Sequence, residues 1–180
     1  MARPQQVGHP FDRDGNHGGH CGDYQRASGY SECSSEGIRA LFGKRKRVVK
    51  HILIVEDEPL TAFDNETRLE KLGYSVVGTR DNVREALADL EAHQVDLVLA
   101  DIRLSGERTG IDLAREAKAL DVPVLFATGN PPSECATYAI GSLPKPYTDR
   151  DLKAAIRTVD DILAGRTPKP PKGMILYEPA

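Results

Sequence analysis

Three observations predict an α/β fold, with a five-stranded parallel sheet between two layers of helices. Short apolar runs of strand length alternate with longer amphipathic segments. The runs are rich in Val, Ile and Leu and nearly continuous, as in strands buried on both faces. The alternation occurs five times between residues 48 and 163. Right-handed crossovers leave such a chain few topologies, and strand order 2-1-3-4-5 fits it best.

Taken in order, the first strand is KHILIV, about Lys50–Val55. Leu60–Leu72 carries apolar residues at 60, 62, 63, 69 and 72, close to helical spacing, and Gly73 sits where a helix stops. YSVVGT is a shorter second strand. Asp81 or Asn82 caps a helix that runs through His93, with Val83, Ala86, Leu87 and Leu90 on one face. VDLVLA is the third strand, and Gly110–Leu120 the third helix. VPVLFAT is the fourth strand, with Pro123 at its start. Pro131–Tyr138 is a weak helix candidate, and IGSL is a short fifth strand. Thr148 or Asp149 caps a last helix over Asp151–Leu163.

The chain has 180 residues, enough for one domain with tails. Its charge is uneven. Residues 1–50 hold nine Lys/Arg against five Asp/Glu, whereas residues 51–180 hold 15 against 22. An acidic globular part argues against nucleic acid as a partner, unless through the basic run Lys44–Arg47. That run reads more simply as a solvated linker. No apolar run approaches the roughly 18 residues of a membrane span, and the N-terminus has no signal-peptide core. Cys21, Cys33 and Cys135 form no disulfide framework, which points to reduced thiols in the cytoplasm.

Residues 1–47 are rich in Gly, His, Ser and Asp and bury too little apolar surface to order themselves. They read as a disordered extension with a short helical turn near Ile38–Phe42. The run His17–Cys21 and the loose calcium-loop pattern from Asp12 to Asp23 read as solvated tail. The globular domain spans 48–163, and a Pro-rich tail follows over 164–180, whose Met174–Tyr177 stretch is apolar enough to dock back on it.

In open parallel sheets the working site lies outside the C-terminal strand ends. Glu56, Asp57 and Glu58 follow the first strand, Asp101 the third, Thr128 and Gly129 the fourth, and Lys145-Pro146 the fifth. Adjacent first and third strands bring Glu56, Asp57 and Asp101 together. Three such carboxylates repel one another unless a cation sits among them, and hard oxygen ligands suit Mg²⁺. Lys145, the Thr128 hydroxyl and backbone N–H groups then complete a site for a phosphoryl group. Any one of these residues alone could be a turn or cap residue. Their joint placement after four different strands makes them a set.

Over about residues 50–163 the sequence resembles the receiver domain of bacterial two-component response regulators. The residues that carry this are Ile54–Pro59, Asp101 with Leu104 and Gly106, Ala127-Thr128-Gly129, and Lys145-Pro146-Tyr147. The string Phe126–Gly129 further resembles the FATGUY subgroup of receivers. The resemblance implies a flavodoxin-like, CheY-like three-layer fold. It implies Asp101 as phospho-acceptor, with Thr128, Lys145 and the N–H of Gly129 on the phosphoryl oxygens. It implies Mg²⁺ held by Glu56, Asp57, Asp101 and the carbonyl of Arg103, and a cis peptide before Pro146. The implied donor is a phosphohistidine on a sensor histidine kinase, of HWE or HisKA2 type by the FATGUY likeness. The implied outcome is binding to a downstream protein or transfer to a phosphotransferase, with a weak homodimer through the face of the fourth helix, fifth strand and fifth helix.

Two departures stand out. Many receivers carry an aromatic three residues before the Lys, where this chain has Ser142. The segment Asn130–Gly141 is therefore expected to be loosely ordered and to tighten on phosphorylation. Ser105 stands where Pro is frequent, and Arg103 and Asn130 are placed to influence the attack of water. The leading reading is a stand-alone receiver that modifies only itself, since about 17 residues after Leu163 are too few for an output domain. A phosphorylation-independent receiver-like interaction module is the alternative. An aspartyl phosphatase would need a second Asp two residues after Asp101, where Arg103 stands.

Overall fold

The computed structural model describes residues 46–177. The expectations for residues 1–45 lie outside them: the turn near Ile38–Phe42, the thiols of Cys21 and Cys33, the His17–Cys21 run and the Asp12–Asp23 pattern. The elements are β1 (His51–Val55), α1 (Pro59–Lys71), β2 (Ser75–Arg80), α2 (Val83–Ala92), β3 (Leu97–Ala100), α3 (Gly110–Ala119), β4 (Val124–Thr128), α4 (Cys135–Tyr138), β5 (Gly141–Pro144), α5 (Asp149–Leu163) and β6 (Ile175–Leu176). The sheet order is β2-β1-β3-β4-β5-β6. The first five strands are parallel, in the order the sequence predicts.

The sheet has six strands rather than the five expected. Met174–Tyr177 docks back as anticipated, but as an antiparallel strand on β5. Side-chain contacts secure this return. Arg166 pairs with Asp160 and Asp161 at the end of α5, each at 2.6 Å, and the Thr158 hydroxyl donates to the Lys169 carbonyl at 2.9 Å. Asp160 also accepts the N–H groups of Val48 and Val49, so one buried carboxylate ties the entry to β1 and the tail to α5.

Successive strand residues point to opposite faces, and both faces are covered. Leu53, Val55, Val98, Ala100, Val124 and Phe126 face α2 and α3. Ile52, Ile54, Leu97, Leu99, Leu125 and Leu143 face α1 and α5. The helix starts follow local chemistry. Asn82 accepts the Glu85 N–H and so caps α2. Thr109 with Asp112, and Thr148 with Asp151, form reciprocal capping boxes on α3 and α5. Thr148 is thus the cap, and α5 begins at Asp149 rather than Asp151.

Two expectations need correction. The helix predicted over Pro131–Tyr138 is only the single turn of α4. Its approach is built from three-residue-spaced bonds, Cys135 N–H to Pro132, Ala136 to Ser133 and Thr137 to Glu134. Pro132 also pushes Pro131 before it out of the helical region. Cys135 itself is fully buried in the core. Arg47, read as part of a solvated run, instead donates to the Gly73 carbonyl at 3.2 Å and lies over the Tyr74 ring.

Strand register positions the site. Val55 pairs with Ala100, so Glu56 and Asp101 emerge side by side from β1 and β3. Thr128 pairs with Pro144, which sets Lys145 just beyond the end of β4. Below Asp101, α3 packs without clearance. A Cβ on Gly110 would lie 2.0 Å from the Asp101 carbonyl oxygen and 2.9 Å from the Ile102 Cα. Gly110→Ala must therefore push α3 off this backbone. It should lower stability by about 1–3 kcal/mol, read as a lower urea midpoint with an unchanged slope.

Candidate functional site

Glu56 and Asp101 share one cation. The Lys145 ammonium donates to Glu56 Oε2 at 2.6 Å and to Asp101 Oδ2 at 2.7 Å. Glu56 is almost wholly buried, with 3% of its side chain exposed, against 15% for Asp101 and 25% for Lys145. The second Asp101 oxygen, Oδ1, accepts the N–H groups of Ile102 at 2.6 Å and Arg103 at 3.2 Å. One carboxylate oxygen is therefore held by the loop backbone and the other by the lysine. Thr128 is buried at the neighbouring strand end, and its carbonyl accepts the Lys145 N–H at 3.1 Å.

The electrostatics follow from this burial. Desolvation raises the Glu56 pKa; the Lys145 hydrogen bond and charge oppose the shift, and the Asp101 charge adds to it. Desolvation works against the Lys145 ammonium, but its bonds to Asp101 and Glu56 outweigh it and raise its pKa. Lys145 is thus held charged between two carboxylates.

The sequence reading gathers Glu56, Asp57 and Asp101 around one cation. In the structure the Lys145 ammonium fills that role for Glu56 and Asp101. Asp57 accepts instead from the Ser105 hydroxyl at 2.6 Å. Among the described residues no three His, Cys, Asp or Glu side chains surround a common point. The donor chemistry still fits Mg²⁺: all three side chains offer hard oxygens, they stand at the ends of adjacent strands, and Asp57 meets only a neutral hydroxyl. The side chain of Arg103 is exposed, and its N–H faces Asp101. An open cleft of about 370 Å³ lies beside Glu56 and Asp57, with Phe63, Arg80 and Asp81 in its wall.

The segment bearing Lys145 is anchored from α1. The Lys145–Pro146 peptide is cis. The Tyr147 hydroxyl donates to Asn65 Oδ1 at 2.9 Å, and Arg68 donates to the Tyr147 carbonyl at 3.1 Å. Arg68 also pairs with Asp149 at 3.1 Å, which joins this segment to the start of α5. Sequence reasoning missed this anchor. Its one signal was Asn65, a polar residue on the stripe of Ala62 and Leu69, all three buried. Ser105 as the partner of Asp57 was missed as well, and no sequence pattern pointed to it.

The family model described as "Response regulator receiver domain" matches residues 52–157. The chain belongs to this family. It is 38% identical over 97 residues to the phyllosphere-induced regulator PhyR of Methylorubrum extorquens, a match covering 53% of this chain and 35% of PhyR. It is 32% identical over 115 residues to the transcriptional regulatory protein PdtaR of Mycobacterium tuberculosis, covering 61% of this chain and 56% of PdtaR. The match therefore spans about half the length of these relatives, or less. The crystal structure of the response regulator PhyR from Brucella abortus superposes with a TM-score of 0.58 at 32% identity, over 67% of this chain and 51% of that one. These similarities are to receiver-domain regulators of bacteria. No helix among the described residues is long and apolar enough to cross a membrane.

Lys145→Met would leave the buried Glu56 carboxylate without its cation. A loss of about 3 kcal/mol at pH 7 is expected, the lower end for a buried pair because Lys145 is partly exposed. Removing the cation raises the Glu56 pKa further in the folded state, so the neutral acid is favoured there. The deficit should shrink as the pH falls from 7 to 5, measured by urea unfolding of variant and wild type at each pH.

Proposed function

We propose that this receiver accepts a phosphoryl group on Asp101 from a sensor histidine kinase and signals through altered protein binding or onward phosphotransfer. The observation that carries this reading is the placement of Asp101. Its carboxylate stands at the tip of a buried strand, braced by two backbone N–H groups, with the Lys145 ammonium at 2.7 Å. A rigid nucleophile beside a fixed positive charge suits phosphoryl transfer, where positioning and charge stabilisation supply most of the catalysis.

In the transfer, an Asp101 oxygen attacks phosphorus and the bond to the donor imidazole nitrogen breaks, its electron pair leaving with the ring. The product is an acyl phosphate on Asp101. Lys145 stays charged and meets the phosphoryl oxygens, and the Thr128 hydroxyl and Gly129 N–H complete their coordination. Glu56, Asp57, Asp101 and the Arg103 carbonyl would hold Mg²⁺, which supplies further neutralisation of the transferring group. Water attacking phosphorus later returns the free carboxylate and releases inorganic phosphate. The chain acts on no substrate but itself, in the cytoplasm. The Phe126–Gly129 string supports placing it among FATGUY receivers, with a kinase of HWE or HisKA2 type as donor. The similarity to a PhyR described as an anti-anti-sigma factor supports a protein as the downstream partner.

Incubation with Mg²⁺ and acetyl phosphate, read by intact mass, tests the assignment. One phosphoryl adduct is expected on the wild type, none on Asp101→Ala, and slower formation on Thr128→Ala. A wild type that takes up no phosphoryl group, or an adduct that survives Asp101→Ala, would favour a phosphorylation-independent interaction module.

A further inference from the structure

The tail lies against β5 along the whole length of that strand. At one end, a Cβ on Gly173 would come within 3.2 Å of the Pro144 ring. In the middle, Ile175 pairs with Ser142 and Leu176 with Gly141. At the far end the Tyr177 N–H donates to the Ile140 carbonyl at 3.1 Å. The Tyr177 hydroxyl meets the Ser142 hydroxyl at 3.1 Å and gives this buried polar side chain a partner. Gly141 is the tightest point, since a Cβ there would lie 2.5 Å from the Ile175 carbonyl oxygen. A side chain at position 141 and the tail cannot occupy this edge together.

The same strand runs directly into the site. Pro144 precedes Lys145, whose backbone bonds β4 and whose ammonium holds Asp101 and Glu56. The tail is held on the sheet by a strand of two residues, the Tyr177 contacts and the buried Met174. Such a short edge element belongs to the part of a fold that opens most readily. Its fit to β5 has no slack at Gly141 and little at Pro144.

We propose that residues 174–177 are a detachable strand whose hold on β5 is coupled to phosphoryl occupancy of Asp101. This rests on the phosphoacceptor reading. A phosphoryl group on Asp101 replaces a compact carboxylate partner of Lys145 with a bulkier, more highly charged one. Lys145 and the end of β5 shift to meet it, and the close contacts at Pro144 and Gly141 no longer match the tail. Release bares the N–H and C=O groups of the β5 edge, a surface that fits an extended strand of another protein.

Hydrogen exchange of the full chain, with and without acetyl phosphate and Mg²⁺, reads the tail directly, and intact mass reads the adduct in the same samples. Exchange at residues 175–177 should rise about 5-fold or more on phosphorylation, within the usual range of coupling. By reciprocity, loosening the tail favours the phosphorylated form. Gly141→Ala, and Tyr177→Phe, which removes only the hydroxyl, should both speed tail exchange in the unmodified protein. Both should also tighten the equilibrium binding of beryllofluoride, a phosphoryl mimic, in the presence of Mg²⁺. An adduct on the wild type with unchanged tail exchange would overturn the coupling alone, as would a Tyr177→Phe protein with wild-type exchange and wild-type beryllofluoride affinity. Absence of any wild-type adduct would overturn the phosphoacceptor reading and the coupling with it.

Discussion

The Lys145 ammonium, held 2.6 Å from Glu56 and 2.7 Å from Asp101, is the constraint on which the rest of the site depends. Two carboxylates emerging side by side from paired strands repel each other, and burial makes Glu56 harder to ionise. A single cation between them offsets the repulsion and opposes the cost of burial. It comes from the end of a third strand, so β1, β3 and β5 must keep their relative heights for the bridge to exist. The parallel register does this: Val55 beside Ala100, Ala100 beside Phe126, and Thr128 beside Pro144.

The helices hold that register from both sides. On one face, α3 starts against the backbone of Asp101 and Ile102, where only a glycine fits. On the other, α1 fixes the segment after Lys145 through Asn65 and Arg68. These contacts act on backbone and neighbouring side chains and leave the Asp101 carboxylate to its own partners. The arrangement separates what fixes the backbone at Asp101 from what its carboxylate meets.

Much of this was legible in the sequence, for physical reasons. A strand buried on both faces must be apolar throughout, so β1, β3 and β4 announced themselves. Charged residues directly after such runs marked the strand ends, and Glu56, Asp101 and Lys145 stand there. The length of α4 was not legible, because prolines suit the first turn of a helix and so gave no sign that this one would begin only at Cys135. Nor was β6: a two-residue strand has too few positions to show a period, and its pairing depends on a glycine elsewhere in the chain. Asp57 was expected beside the other carboxylates, and only the fold of the following loop could show that Ser105 reaches it.

What remained hidden has a common form. Glu56, Asn65 and Ser142 are polar residues at positions that the surrounding pattern reserves for apolar ones. Each is satisfied by a partner far along the chain: Lys145 at 89 residues, Tyr147 at 82 and Tyr177 at 35. The sequence displays the conflict, since an unpartnered polar group at a core position would be costly. It does not display the partner, because the partner is chosen by topology rather than by spacing. In this protein all three conflicts resolve onto the line from β5 through Lys145 to Tyr147. These three buried polar groups therefore lie where the strand end must keep its position and, under the coupling proposed for the tail, be able to change it. Purely apolar residues at those positions would remove the hydrogen bonds on which the proposed coupling between Asp101 and the sheet edge relies.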